Sequence, residues 1–288
     1  MENHCNYSKD FIELVKKVKN SENEDYGQYI EYIGVGNPNA KILIIGKESA
    51  IDVKKEEKQY EREILKNAEG WLQNIDNNVT LLDADKDEKW KKDSNASINP
   101  LYPYRGQRFT VYRKKKNGTE IGCGGTSSTW YNYQKIINNM RSISLNDERK
   151  RTICFHEYCF STEFSSISAE YSKEADPRKR NESIKVRTAE LLNAPFYQQF
   201  PIVIVATGHY PKEFGIDLEV LFGVKWDGKT IGRQEKEELK RNWYNVHHGN
   251  QPKLLIHTNQ LSMNITDELL RLIAKECDTF VKNNNIKL

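Results

Sequence analysis

Apolar positions along this chain follow two rhythms. Short unbroken runs end abruptly on glycine or polar residues: Ala40-Lys41-Ile42-Leu43-Ile44-Ile45-Gly46, Thr152-Ile153-Cys154-Phe155-His156, Phe200 to Gly208, and Lys253-Leu254-Leu255-Ile256-His257. Runs of this length, rich in β-branched residues, predict strands buried on both faces. Between them apolar residues recur every three or four positions. Phe11, Leu14, Val15 and Val18 predict a helix over 8–20, and Trp130, Tyr133, Ile136, Ile137 and Met140 predict one over about 128–142. Further helices are predicted over roughly 55–74 and 183–193. Thr266 is a suitable N-cap, followed by Asp267 and Glu268 in the positive first turn and then by Leu269, Ile273, Cys277 and Phe280 at helical spacing. Strands separated by helices imply a parallel sheet with right-handed crossovers. Residues 216–250, with Trp226, Trp243 and Tyr244, read as irregular.

The pattern therefore predicts an α/β fold of three layers, α/β/α, around a central, mostly parallel four-stranded sheet. With 288 residues and no internal repeat, one domain over 1–288 is expected, carrying a polar, mainly helical insertion at about 53–100.

Composition narrows the picture modestly. Charged residues make up 30% of the chain, with 44 Lys plus Arg against 41 Asp plus Glu, so the surface is strongly solvated and close to neutral. That balance permits a phosphate-bearing partner without requiring one. No run of about 18 apolar residues is present, and the first twenty residues lack the apolar centre of a secretory leader, so a cytoplasmic protein with no membrane partner is expected. Five cysteines without a CxxC pair fit a reducing compartment and argue against a zinc site or disulfide framework. His247 and His248 read as loop residues, without a third ligand at a recognisable spacing. No metal or cofactor is expected, and a monomer is the expected state.

The candidate chemistry lies at the strand ends. After the first run comes Gly46-Lys47-Glu48-Ser49-Ala50; the second continues His156-Glu157-Tyr158, the third Gly208-His209-Tyr210, and the fourth His257-Thr258-Asn259-Gln260-Leu261-Ser262. In a parallel sheet these ends share one edge, where ligands bind in open α/β sheets. Glu48, Glu157, His209 and His257 are thus expected around one crevice, where carboxylates and imidazoles supply acid–base groups.

These segments, in this order, resemble motifs of the uracil-DNA glycosylase superfamily. Gly46-Lys47-Glu48-Ser49-Ala50 resembles its first motif, Gly106-Gln107-Arg108-Phe109-Thr110-Val111 a downstream G-x-x-F-S-V segment, and Phe155-His156-Glu157-Tyr158-Cys159 its F-V-H-N strand end. Val205-Ala206-Thr207-Gly208 resembles an L-W-G strand end, and His257 to Ser262 its closing H-P-S-P-L-S motif. The resemblance implies that a damaged or deaminated base is flipped from DNA, possible substrates including single strands, into the crevice for hydrolysis of its N-glycosidic bond. By position it gives Glu48 the attacking water and His257 the charge on the departing base. Gly46 is a substrate-binding position of the first motif, Phe109 stacks on the base, Glu157 reads its edge, and Asn259 and Ser262 grip a neighbouring phosphate. Where the family has asparagine, Glu157 as a carboxylate only accepts hydrogen bonds and suits a base that offers an amino group. The basic run Arg113 to Lys116 is a candidate for tracking the backbone. The alternative expectation is a glycosylase-fold module without chemistry that binds a nucleobase, nucleic acid or protein.

Overall fold

The computed structural model describes residues 7–84, 98–103, 113–114, 120–121, 128–141 and 153–288. The main sheet contains β1 (Val35–Gly36), β2 (Ile42–Gly46), β5 (Cys159–Glu163), β6 (Ile202–Ala206), β7 (Val224–Ile231), β8 (Tyr244–Gly249) and β9 (Leu254–Thr258). A separate antiparallel pair joins β3 (Arg113–Lys114) to β4 (Glu120–Ile121). Across the sheet the order is β1-β5-β2-β6-β9-β8-β7.

Four neighbours, β5, β2, β6 and β9, run parallel, with Gly46 level with Glu163, Val205 level with Ile45, and His257 level with Val205. Among the described residues the sheet nevertheless has seven strands and is mixed, where four were expected. β8 and β7 extend it antiparallel beyond β9, and β1 caps the other edge antiparallel to β5. Both added strands beyond β9 fall in the stretch expected to be irregular. Apart from Val224 and the partly covered Ile231, β7 is solvent-exposed along its length, so it has no apolar face for periodicity to reveal. Its pairing with β8 makes it a strand. His247 and His248 accordingly lie on β8 rather than in a loop, with His248 Nδ1 2.9 Å from Asp227 on β7.

The second strand also differs from expectation. Phe155–Glu157 is a 3-10 turn, and the chain joins the sheet only at Cys159. Asn37 explains the delay: its backbone N–H donates to His156 O at 2.8 Å and its side-chain amide to Glu157 O at 3.0 Å. These carbonyls are therefore satisfied by a turn rather than by a neighbouring strand.

Alternation divides the core between two faces. Leu43, Ile45, Val203, Val205 and Leu255 meet helices Lys9–Asn20, Asn67–Asp76 and Pro177–Val186. Ile42, Ile44, Ile202, Ile204, Leu254 and Ile256 meet helices Ser128–Met140 and Asp267–Asn283. Ser8 caps the first helix, its hydroxyl accepting from Phe11 N, and Thr266 caps the last, accepting from Leu269 N. Leu269, Ile273, Cys277 and Phe280 are buried, as their spacing predicts.

The helix expected over 55–74 is broken into Glu57–Tyr60, a wide turn at Glu61–Leu65, and Asn67–Asp76. Asn67 anchors the last piece. Its Oδ1 accepts from Ile33 N and Gly34 N, while its Nδ2 and Trp71 Nε1 both donate to Gly34 O. Gly34 has φ +141°, and a Cβ there would strike Ser161 O, so a side chain is excluded where this insertion joins the sheet edge. No described helix is long and apolar enough to cross a membrane. Cys154, Cys159 and Cys277 are free thiols.

Candidate functional site

The connections from β2 and β6 leave in opposite directions, because β2 leads to β5 on one side and β6 leads to β7, β8 and β9 on the other. Such a reversal opens a crevice at the carboxyl ends of the two strands. A cavity of about 420 Å³ lies there. Its sheet-side wall is Gly46 to Ile51 after β2, Glu163 at the end of β5, Ala206 at the end of β6 and Gln260 beyond β9. Tyr133, Trp130 and Thr129 form another side, and Tyr32 and Val35 a third. The insertion contributes Glu56, Gln59, Arg62, Glu63, Ile64 and Asn67 to the lining. A stretch whose sequence reads as polar padding is thus a wall of the cavity.

Glu48 is where the strand-end argument places it. It is 8% exposed, and the Tyr210 hydroxyl donates to its Oε2 at 2.5 Å. Lys47 Nζ lies 4.4 Å from the centre of the same tyrosine ring. Burial holds the Lys47 amine below its ordinary pKa, against the opposing pull of Glu48 and Glu213. The turn is braced by β5's continuation, with Phe164 N donating to Gly46 O and Ser165 N to Lys47 O.

Glu163 is the group that sequence reasoning missed. It ends β5 beside Gly46, and a Cβ built on Gly46 would overlap its carboxyl oxygens. Gly46, expected to bind substrate, leaves room for this acid. Part of Glu163 faces the cavity, but its Oε2 is sealed from water and has no hydrogen-bond partner among the described residues. Burial first, and the Glu48 charge second, raise its carboxyl to about 8, while Arg187 pulls the other way. The signal lay in Cys159-Phe160-Ser161-Thr162-Glu163, which is masked by the more apolar run before it.

Arg187 is fully buried behind this wall. It donates to the backbone carbonyls of Glu163, Tyr29 and Tyr32 and to Thr162 Oγ1, at 2.8–3.0 Å. This fork ties β5 to the segment that carries Tyr32 into the cavity.

Glu157 does not reach the crevice. It precedes β5, whose far end carries Glu163; the five residues of that strand span about 13 Å at roughly 3.3 Å per residue. Its Oε1 instead accepts from the Tyr102 hydroxyl at 2.6 Å. The placement follows from the 3-10 turn, which moves the strand start past Glu157. His156 is fully buried between aromatic rings, its two nitrogens without partners among the described residues. Burial holds it neutral, down to about 3.

His257 lies on the correct sheet edge but is occupied. Its Nε2 is 2.7 Å from Gly208 O, and a carbonyl only accepts, so Nε2 carries the proton and donates. Gly208 N in turn donates to Thr258 O, so histidine and backbone together latch the β6 loop to β9. Trp243 packs edge-on against His257, and His209 stacks on Trp243. Burial lowers the His257 imidazole to about 4, with the Gly208 bond acting in the opposite sense.

Asn259 is likewise engaged, its Oδ1 accepting from Trp243 N at 2.7 Å. Ser262 accepts through its carbonyl from Asn132 Nδ2 at 2.9 Å. Of this loop, Gln260 is the residue lining the cavity. Phe109 lies outside the described residues. No group of three or more His, Cys, Asp or Glu side chains disposed to hold a metal occurs among the described residues.

The cavity collects Glu48, Glu56, Glu63 and Glu163 against Lys47 and Arg62. Such a lining disfavours an anionic group inside and suits a neutral, hydrogen-bonding ring held between Tyr32, Trp130 and Tyr133. Comparison with protein-family models, with curated proteins and with solved structures yields no match.

Proposed function

We propose that the protein is a divergent base-excising hydrolase of the uracil-DNA glycosylase type. A base flipped from DNA enters the cavity, and its N-glycosidic bond is hydrolysed. The observation that carries this reading is the cavity at the β2/β6 reversal, with Glu48 and Glu163 both in its lining. Its volume, about 420 Å³, falls within the usual range for small-molecule sites. The motif order from Gly46-Lys47-Glu48 to His257 supplies the resemblance.

In this mechanism Tyr210 fixes Glu48, whose carboxylate orients water toward the sugar C1′. The aromatic lining sandwiches the base, and the Gln260 amide donates to it as negative charge develops on departure. Arg113 and Lys114 on β3 are candidates for the phosphate backbone.

One observation favours a second reading, a base-binding module without chemistry. His257, the group assigned to the departing base, is committed to Gly208. Cleavage assays on oligonucleotides containing uracil, hypoxanthine, alkylated bases or mismatches separate the two. Hydrolysis that falls at least about 100-fold in Glu48→Ala supports the enzyme. Salt-dependent binding without cleavage supports the module. Absence of nucleic-acid affinity at low salt ends both.

A further inference from the structure

We infer that the base taken into the cavity is a cation, a purine alkylated on a ring nitrogen such as 7-methylguanine, which departs as a neutral molecule. The inference rests on the base-excision reading above and names the substrate class for that site. Four carboxyl groups line the cavity, those of Glu48, Glu56, Glu63 and Glu163, against two cationic side chains, Lys47 and Arg62. Setting aside Glu163, whose Oε2 is sealed over Gly46, the acids still outnumber the bases. Lys47 holds its amine against the ring of Tyr210, a residue not among those lining the cavity. Arg62 shares the insertion with Glu56 and Glu63, so that side of the lining keeps an excess of acid. Tyr32, Trp130 and Tyr133 add aromatic rings. An aromatic face attracts a cation, and more strongly once water is excluded. Acids and rings thus select for the same ligand property, positive charge.

The leaving group supplies an independent argument. Uracil departs as an anion, which needs a cation or strong donors beside it. His257 does not serve, because its Nε2–H is committed to Gly208 O at 2.7 Å. Gln260 is the residue of that loop in the lining, and its amide carries no charge. The excess of acid opposes an anion further. A purine made cationic by alkylation makes no such demand. Water oriented by Glu48 bonds through its oxygen to C1′. The electron pair of the C1′–N9 bond passes into the ring and neutralises it. The proton of the water goes to Glu48 and from there to solvent. The products are an abasic sugar and a neutral alkylpurine. For this leaving group the engagement of His257 with Gly208 removes nothing that the reaction requires.

The test compares three oligonucleotides binding to the full chain at pH 6. One carries 7-methylguanine on a hydrolysis-resistant 2′-fluoro sugar, one the neutral isostere 7-methyl-7-deazaguanine, and one uracil. The cationic strand is expected to bind at least about tenfold tighter than the other two, the scale of a desolvated cation–aromatic contact. Glu56→Gln and Glu63→Gln, verified as folded by thermal melting, should each shrink that margin about threefold and leave affinity for the neutral isostere within about twofold. On ordinary deoxyribose, release of 7-methylguanine above its spontaneous rate should exceed release of uracil and fall in Glu48→Ala. Equal affinity for the cation and its isostere, a margin unchanged in both variants, or faster release of uracil would overturn the assignment while leaving a base pocket. Binding without release of any base would remove the excision reading beneath it. Absence of binding to every strand at low salt would remove the base-binding reading, and this inference with it.

Discussion

The Tyr210 hydroxyl donates to Glu48 Oε2 across 2.5 Å, joining the turn after β2 to the loop after β6. The carboxylate is buried, so this donor compensates part of the hydration it has lost. Tyr210→Phe should therefore destabilise the fold by about 1–3 kcal/mol, measured by urea unfolding. Under the proposed mechanism it should also lower kcat more than it raises KM, because the tyrosine orients Glu48 and does not touch the base.

Gly46 and Glu163 form a second such pair. Gly46→Ala should cost about 1–3 kcal/mol, because the new methyl overlaps the Glu163 carboxyl and forces it from its place over Gly46. The double variant with Glu163→Ala should recover part of that loss. A double-mutant cycle with no coupling between the positions would contradict the packing described.

Two partly buried groups make stability depend on pH in opposite directions. Glu163 is raised to about 8 when folded, against an ordinary 4.5. Between these values the unfolded chain releases a proton that the folded chain keeps, so stability falls as pH rises through the window. Glu163→Gln should remove the effect, and its stability relative to wild type should grow by about 3 kcal/mol from pH 5 to pH 8.

His257 is lowered to about 4, against an ordinary 6.5. Here the unfolded chain takes up a proton that the folded chain refuses. Stability should fall as pH drops from 6.5 toward 4, by about 3 kcal/mol. A His257→Asn variant should show a flatter acid limb in urea titrations.

Arg187→Met should lower stability by about 3–5 kcal/mol. It removes the donor shared by the Glu163, Tyr29 and Tyr32 carbonyls and Thr162, all behind the cavity. Thermal melting checks the stability. Weaker base binding in variants that remain folded would show that the fork also holds the Tyr32 wall.

Much of the architecture was legible in the chain. Ile42–Gly46, Ile202–Ala206 and Leu254–Thr258 are apolar on both faces, which only central strands tolerate, and their polar ends place Glu48 and His257 on one edge. The helices at 9–20, 128–140 and 267–283 carry their own periodicity and, at two of them, a side-chain cap. What tertiary structure decided was partnership. Asn37 takes the carbonyls of His156 and Glu157, moving the start of β5 and replacing Glu157 by Glu163 at the cavity. Gly208 takes His257, and Asn67 turns a polar insertion into a wall. Apolar patterning is local, because each residue's burial reflects its own transfer from water. A hydrogen-bond partner more than thirty, or more than a hundred, positions away leaves no such periodic trace, and only the folded chain selects it.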